Sequence, residues 1–179
     1  MDSINRQQAE DSHKNLNNAE AAKKIKELGE KAKTCFFCTN IVTGQSVKVR
    51  PMSVQKIDNQ GVCWFLSASD SHKNAELIQD SHMQLLFQGS THSDFLSLYG
   101  KGEISRDKDK IKELWEPIIK NWFTEGEDDP RITVIKFTPE EGYYWDNKYG
   151  DLVSFIKIAT GAIIGKTMDD SVEGKISVF

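Results

Sequence analysis

Cysteine is scarce in this chain: Cys35, Cys38 and Cys63 are the only examples among 179 residues. Three thiols do not make a disulfide framework, so an apolar core has to hold the fold, and a chain of this length can bury one. Long apolar runs are missing too. The longest uncharged stretches, 34–47 and 81–93, are too short and too polar to cross a bilayer. Basic charge is not in excess: 23 Lys and Arg stand against 27 Asp and Glu, for a net charge of -4. A dedicated nucleic-acid binder would carry the opposite balance. The opening MDSINRQQAEDSHKN has no apolar h-region, so the expected setting is a reducing cytoplasm, away from membranes.

Signature loops are absent as well. The sequence holds no GxGxxG and no GxxxxGK[ST], which removes the usual dinucleotide and P-loop cradles. It has no GxSxG elbow and no HExxH pair, and His13, His72, His82 and His92 lie scattered. Hydrolase chemistry and a metal site therefore find no support in the sequence.

What is present reads as alternating secondary structure. Residues 1–18 are polar and without period, as in a loosely held arm. Ala21, Ile25, Leu28 and Ala32 then mark one stripe of a helix over 19–32. Strands follow in TCFFCTNIV, SVKVRPMSVQKI and VCWFLS, with Pro51 predicting an edge strand or a bulge in the second. A short helix carrying Ala75, Leu77 and Ile78 leads to two more strands, MQLLFQG and FLSLYGKGEIS. Residues 107–123 read as a helix that Pro117 bends or divides, followed by the acidic loop TEGEDDP. RITVIKFTP and GYYWDN are the last two predicted strands, LVSFIKIATGAIIG a final helix, and 166–179 a mostly polar tail. Short connections predict a mostly antiparallel sheet, and a sheet of this size tends to curl into a barrel. The fold class is α+β.

Two clusters invite chemistry. Cys35-x-x-Cys38 suggests redox or zinc work, but residues three apart on a strand face opposite ways, and no further ligands accompany them. Core cysteines are the simpler reading. The stretch SASDSHK, between an apolar strand and a helix start, offers hydroxyls, free backbone N–H groups and Lys73 to a phosphate. A capped helix with a solvated lysine explains the same residues. Arg50, in VRPMS, supplies a second cation if the two strands lie together.

In combination, VRPMS, WFLSASDSHK, YGKGEI and YYWD, in this order, resemble the pyridoxamine 5'-phosphate oxidase-like flavoproteins, and within them the general stress protein branch. The resemblance spans about residues 19–165. It implies a split β-barrel that forms a homodimer and binds FMN in two clefts between subunits. It places Arg50 at the phosphate, Pro51, Met52 and Ser53 along the isoalloxazine, and Phe65, Leu66 and Ser67 beside the ring and ribityl chain. Ser71, His72 and Lys73 take the place of a Ser-Arg-Lys phosphate clamp, with His72 replacing the guanidinium. Trp145 matches a Trp brought to the flavin from the partner subunit. No residue is singled out as catalytic.

The same comparison shows departures. Pyridoxamine phosphate oxidases carry a substrate-binding Lys where this chain has Gln55. Their helical Arg and Ser are missing from IKELWEPIIKNWF, and DNKYGDLV holds no Arg-x-His. Vitamin B6 oxidation is not expected. The implied function is a flavin-dependent oxidoreductase of unknown substrate and reductant, with a nicotinamide nucleotide as one candidate reductant. The rival is a non-catalytic flavin carrier or sensor. A deazaflavin or haem is a third possibility on this fold, although no His near Trp145 offers an axial ligand.

Overall fold

The computed structural model describes residues 12–91, 93–147 and 171–178. The expected first helix is α1 (Asn18–Ala32), and it buries Ala21, Ala22, Ile25, Leu28 and Gly29. It stops at Lys33, whose backbone turns left-handed (φ 60°) while its N–H caps the Gly29 carbonyl at 2.9 Å.

The strands are β1 (Leu16–Asn17), β2 (Thr34–Thr39), β3 (Lys48–Ser53), β4 (Lys56–Ile57), β5 (Cys63–Ala68), β6 (His82–Gln88), β7 (Phe95–Ser105), β8 (Ile132–Asn147) and β9 (Ser171–Ser177). Between them lie α2 (His72–Gln79) and α3 (Lys108–Leu114), with 3-10 turns at Pro117–Asn121 and Gly126–Asp128. The main path runs β1-β9-β8-β7-β6-β2-β3, while β5 pairs with β8 and carries β4. The pairings are antiparallel apart from β1 on β9 and the single His13–Glu173 bridge. Pro51 does sit on an edge, because β3 ends the path and needs no donor on its open side.

The sheet curls without closing. Phe37 of β2 and Phe65 of β5 are four steps apart in the sheet, yet their rings meet edge-to-face with centroids 5.3 Å apart. They share one core with Ile25, Met83, Leu85, Leu98 and Phe137. No ladder joins β3 to β5, so the expected barrel is an open, curled sheet; the chain after β3 reaches β5 through the Gln55 N–H, which donates to the Trp64 carbonyl at 2.9 Å, and the short β4 pairing that follows. A second core, of Leu66, Ile111, Leu114, Ile119, Phe123, Ile132 and Val134, lies under α3 and its following turn.

One open expectation is settled and two others change. Pro117 divides the predicted 107–123 helix outright, leaving α3 and a 3-10 turn, because it cannot donate to the preceding turn. The two predicted strands after residue 130 are one, β8, which continues through Pro139 where the register to β7 shifts between Tyr99 and Gly100. Gly100 is required there, since a Cβ would run into the Thr138 carbonyl oxygen. Part of the polar tail is strand β9, and residues 12–17 pair with it: the Lys14 N–H donates to the Glu173 carbonyl at 2.8 Å, and Leu16 is buried. The helix predicted over 152–165 lies outside the described residues. Among the described residues no helix is long and apolar enough to cross a membrane.

One buried carboxylate predicts a pH effect. Asp129 accepts from the Arg131 guanidinium at 2.7 and 3.1 Å and from its N–H at 3.0 Å, bonds that hold its carboxyl below the usual range. With its folded pKa depressed, its contribution is present above the unfolded value of about 4 and is lost as pH falls through the folded one. Asp129→Asn is therefore expected to be less stable than the parent at pH 7. The gap should narrow in denaturant titrations repeated toward pH 2.5.

Candidate functional site

The edge strand β3, the end of β5 and the start of α2 meet at one place, and a buried polar knot holds them there. Ser67 and Thr133 face each other across β5 and β8. The Thr133 hydroxyl donates to the Ser67 carbonyl at 2.9 Å and accepts from the Asn74 amide at 2.8 Å. The Asn74 carbonyl oxygen in turn accepts from the Ser67 hydroxyl at 2.9 Å and from Ser71 at 3.3 Å. Burial without partners would cost each of these groups; here they satisfy one another and fix the 67–71 turn.

That knot decides which face of α2 is inside. The apolar face read from Ala75, Leu77 and Ile78 is wrong in part: Asn74 and Leu77 are buried, and Ile78 is 77% exposed. Asn74 was missed because a lone polar residue between apolar neighbours carries no signal of its partner 59 positions away. The knot also removes the simple capping explanation for SASDSHK. Ser71 stands at the N-cap of α2, yet its side chain caps nothing, and its hydroxyl turns to Ser67 and Asn74. Ser71 thus leaves the first-turn N–H groups of the helix without a side-chain cap.

Two adjoining cavities flank this turn. The first, about 340 Å³, is an apolar slot between Pro51, Met52 and Ser53 of β3, Leu66, Ser67 and Ala68 of β5, and Ile119, Trp122 and Phe123 above them; Gln55 and Lys73 complete it. The second, about 650 Å³, is lined by Lys48, Arg50, Asp70, Ser71, His72, Lys73 and Glu76. Lys73 lines both. Its ammonium makes no ion pair with the described residues, and burial, then the Arg50 charge, pushes it below the ordinary lysine range. The Asp70 charge offsets this in part, and a half-buried cation left without an ion pair is a place for an anion.

Nine of the eleven residues read from the sequence line these cavities: Arg50, Pro51, Met52, Ser53, Leu66, Ser67, Ser71, His72 and Lys73. Phe65 does not. Its ring is fully buried against Phe37 on the core side of β5. Trp145 does not either. It is 42% exposed, its ring tilted at 47° against Tyr143 with centroids 4.6 Å apart, and it lies twelve residues along β8 from Thr133, roughly 40 Å at strand rise. Of the lining residues outside the predicted set, two bear most on the site's character. Trp122 belongs to a predicted core face, but the break at Pro117 turns it outward, 67% exposed, at the mouth of the slot. Glu76 receives the Arg50 guanidinium and had no distinguishing motif.

The cysteines carry no reactive geometry. Cys35, Cys38 and Cys63 are free and buried, and burial pushes all three thiols up.

The sequence profile described as pyridoxamine 5'-phosphate oxidase like matches residues 20–169. The chain belongs to this family. Its fold is shared with a general stress protein 26 from Jannaschia sp. CCS1, at TM-score 0.71 and 23% identity over 89% of this chain and 99% of that one. A pyridoxamine 5'-phosphate oxidase from Listeria innocua aligns at TM-score 0.56 and 27% identity, over 68% of this chain and 94% of that one. A general stress FMN/FAD binding protein from Xanthomonas citri aligns at TM-score 0.58 and 23% identity, over 68% and 84%. By sequence, protein bli-3 of Neurospora crassa is 27% identical over 126 residues, 65% of this chain and 60% of that protein. The chain thus spans less than two thirds of that relative's length. The polar knot and the two cavities sit where two of the four motifs, VRPMS and WFLSASDSHK, come together; YGKGEI and YYWD line neither cavity.

Proposed function

We propose that this protein binds FMN and works as a flavin-dependent oxidoreductase of the cytoplasm. One observation carries the reading: an apolar slot opens through Lys73 into a cationic pocket, which matches a planar ring system tethered to a phosphate. Arg50, Lys73 and the Ser71 hydroxyl would hold the phosphate, as charge-assisted donors do. Pro51, Met52, Ser53 and Leu66 would line one face of the ring, and Trp122 and Phe123 would keep water from it. A bound flavin itself supplies hydride and electron transfer. Lys73 is the one titratable side chain lining the slot, and it stands at the phosphate end, so the chain's part is to bind and orient.

The same economy favours a second reading, a flavin carrier or sensor without turnover. Visible absorption separates the two: FMN is titrated into the protein, and NADPH is then added without oxygen. A perturbed flavin band that bleaches supports the oxidoreductase. A bound flavin that stays oxidised by NADPH and by other reductants supports the carrier, and no perturbation on titration removes the cofactor. Gln55 in the slot, in place of a lysine, keeps vitamin B6 phosphates out of the proposal.

The reading includes a homodimer. Phe36 of β2 lies opposite Leu86 of β6, Leu86 opposite Ser97, and Ser97 opposite Tyr143, so these share one face of the sheet with Trp145 two residues on. Phe36, Leu86 and Trp145 are all exposed on it. A second copy seated there by twofold symmetry would cover this apolar face and carry Trp145 of the partner subunit toward the slot. Trp145→Ala is then expected to weaken flavin binding roughly 3- to 10-fold, the worth of one aromatic contact. The melting temperature of the flavin-free protein should not move, and a collapse there would make Trp145 a structural residue.

A further inference from the structure

Arg50 faces the cationic pocket with a carboxylate already on it. Both terminal nitrogens of its guanidinium donate to the same Glu76 oxygen at 2.8 Å, and the buried Thr39 hydroxyl donates to that oxygen as well. Glu76 follows Lys73 by three residues on α2, so the two side chains share a helix face and line one cavity. Around the cavity stand Lys48, Arg50 and Lys73 against Asp70 and Glu76. A phosphate held by Lys73 and Arg50 therefore has to share Arg50 with a fixed internal anion.

We infer that Glu76 sets the strength of phosphate binding in this pocket, weakening it so that the flavin is an exchangeable ligand and not a permanent one. The inference rests on the reading that this pocket takes the phosphate end of a flavin. Burial pushes the Glu76 carboxyl up, but the bonds from Thr39 and Arg50 outweigh it and hold the group below its usual range. Glu76 is thus charged at neutral pH, and a phosphate dianion meets a like charge beside its own cation. Glutamine keeps an acceptor for Arg50 and Thr39 and removes only the charge.

The test is a fluorescence titration of the full chain and of Glu76→Gln with FMN and with riboflavin, which has the same ring and ribityl chain without the phosphate. Glu76→Gln should bind FMN about tenfold more tightly, a gain that shrinks in high salt, with riboflavin unchanged. Glu76→Ala, which also removes the charge, is measured beside it, and the two must agree in sign. An equal gain for both flavins overturns the inference, since the slot and not the phosphate end would have changed. A fall or no change in FMN affinity, with the parent still preferring FMN to riboflavin, overturns it and leaves the flavin reading standing. If the parent binds neither flavin, both fall.

Discussion

Replacing Arg50 and Lys73 together by alanine is expected to lower FMN affinity by at least ~100-fold, two lost charge-assisted bonds at about 1.5–3 kcal/mol each. Riboflavin affinity should change far less, because the slot residues stay in place. The two cations reach the same cavity from different elements, Arg50 from the edge strand β3 and Lys73 from the first turn of α2. Neither is in the apolar core, so the double variant should fold, with circular dichroism as the check. The single variants should differ in kind. Lys73→Ala removes a cation that has no carboxylate partner, whereas Arg50→Ala also leaves Glu76 without its ion pair, adding a bare negative charge to the pocket. Arg50→Ala is therefore the more damaging of the two. Unchanged FMN affinity in the double variant would sink the phosphate assignment.

The second large effect concerns a residue that the family resemblance puts beside the flavin. Phe65→Ala should destabilise the protein by about 3–5 kcal/mol, the usual cost of emptying a buried phenylalanine site. For a chain of this size that corresponds to a fall in melting temperature of roughly 6–20 °C. The cost arises from the lost contact with Phe37 and the cavity left between β2 and β5, so it must appear in full without flavin. Leu66, the next residue, points the other way, into the second core and the slot. Thermal melts with and without added FMN decide the matter. If Phe65→Ala melts normally when flavin-free and loses only its response to FMN, Phe65 is a cofactor contact and its core placement is irrelevant.

These two cases show how far linear reasoning reaches. Pro51 reads as an edge or a bulge from its missing N–H alone, and Pro117 as a bend or break in a helix for the same reason; both follow from local covalent structure, and the fold chose the edge and the break. The opposed faces of Cys35 and Cys38 follow from the two-residue period of a strand. Arg50 and Lys73 were legible as cations on segments that precede and follow one apolar strand. Their neighbourhood was not. Asn74 is understood only with Thr133, and Glu76 only with Arg50 and Thr39, partners 26 to 59 positions away.

The strands follow the same division. Alternation finds the two halves of β8, but their fusion through Pro139 depends on Gly100 of β7 opposite the bulge. β9 is invisible as a short polar run with Gly174 at its middle, and it becomes a strand because the free edge of β8 accepts it. The sequence by itself determined the α+β class, the helices α1 and α2 with the strands β2, β5, β6 and β7, the interruptions at Pro51 and Pro117, and the cations of the candidate site. Only the tertiary structure decided that Phe65 faces the core, that Trp122 faces the slot, and that Glu76 holds Arg50. Side-chain direction on a strand or helix is local, but which direction is inside depends on what the rest of the chain packs against it.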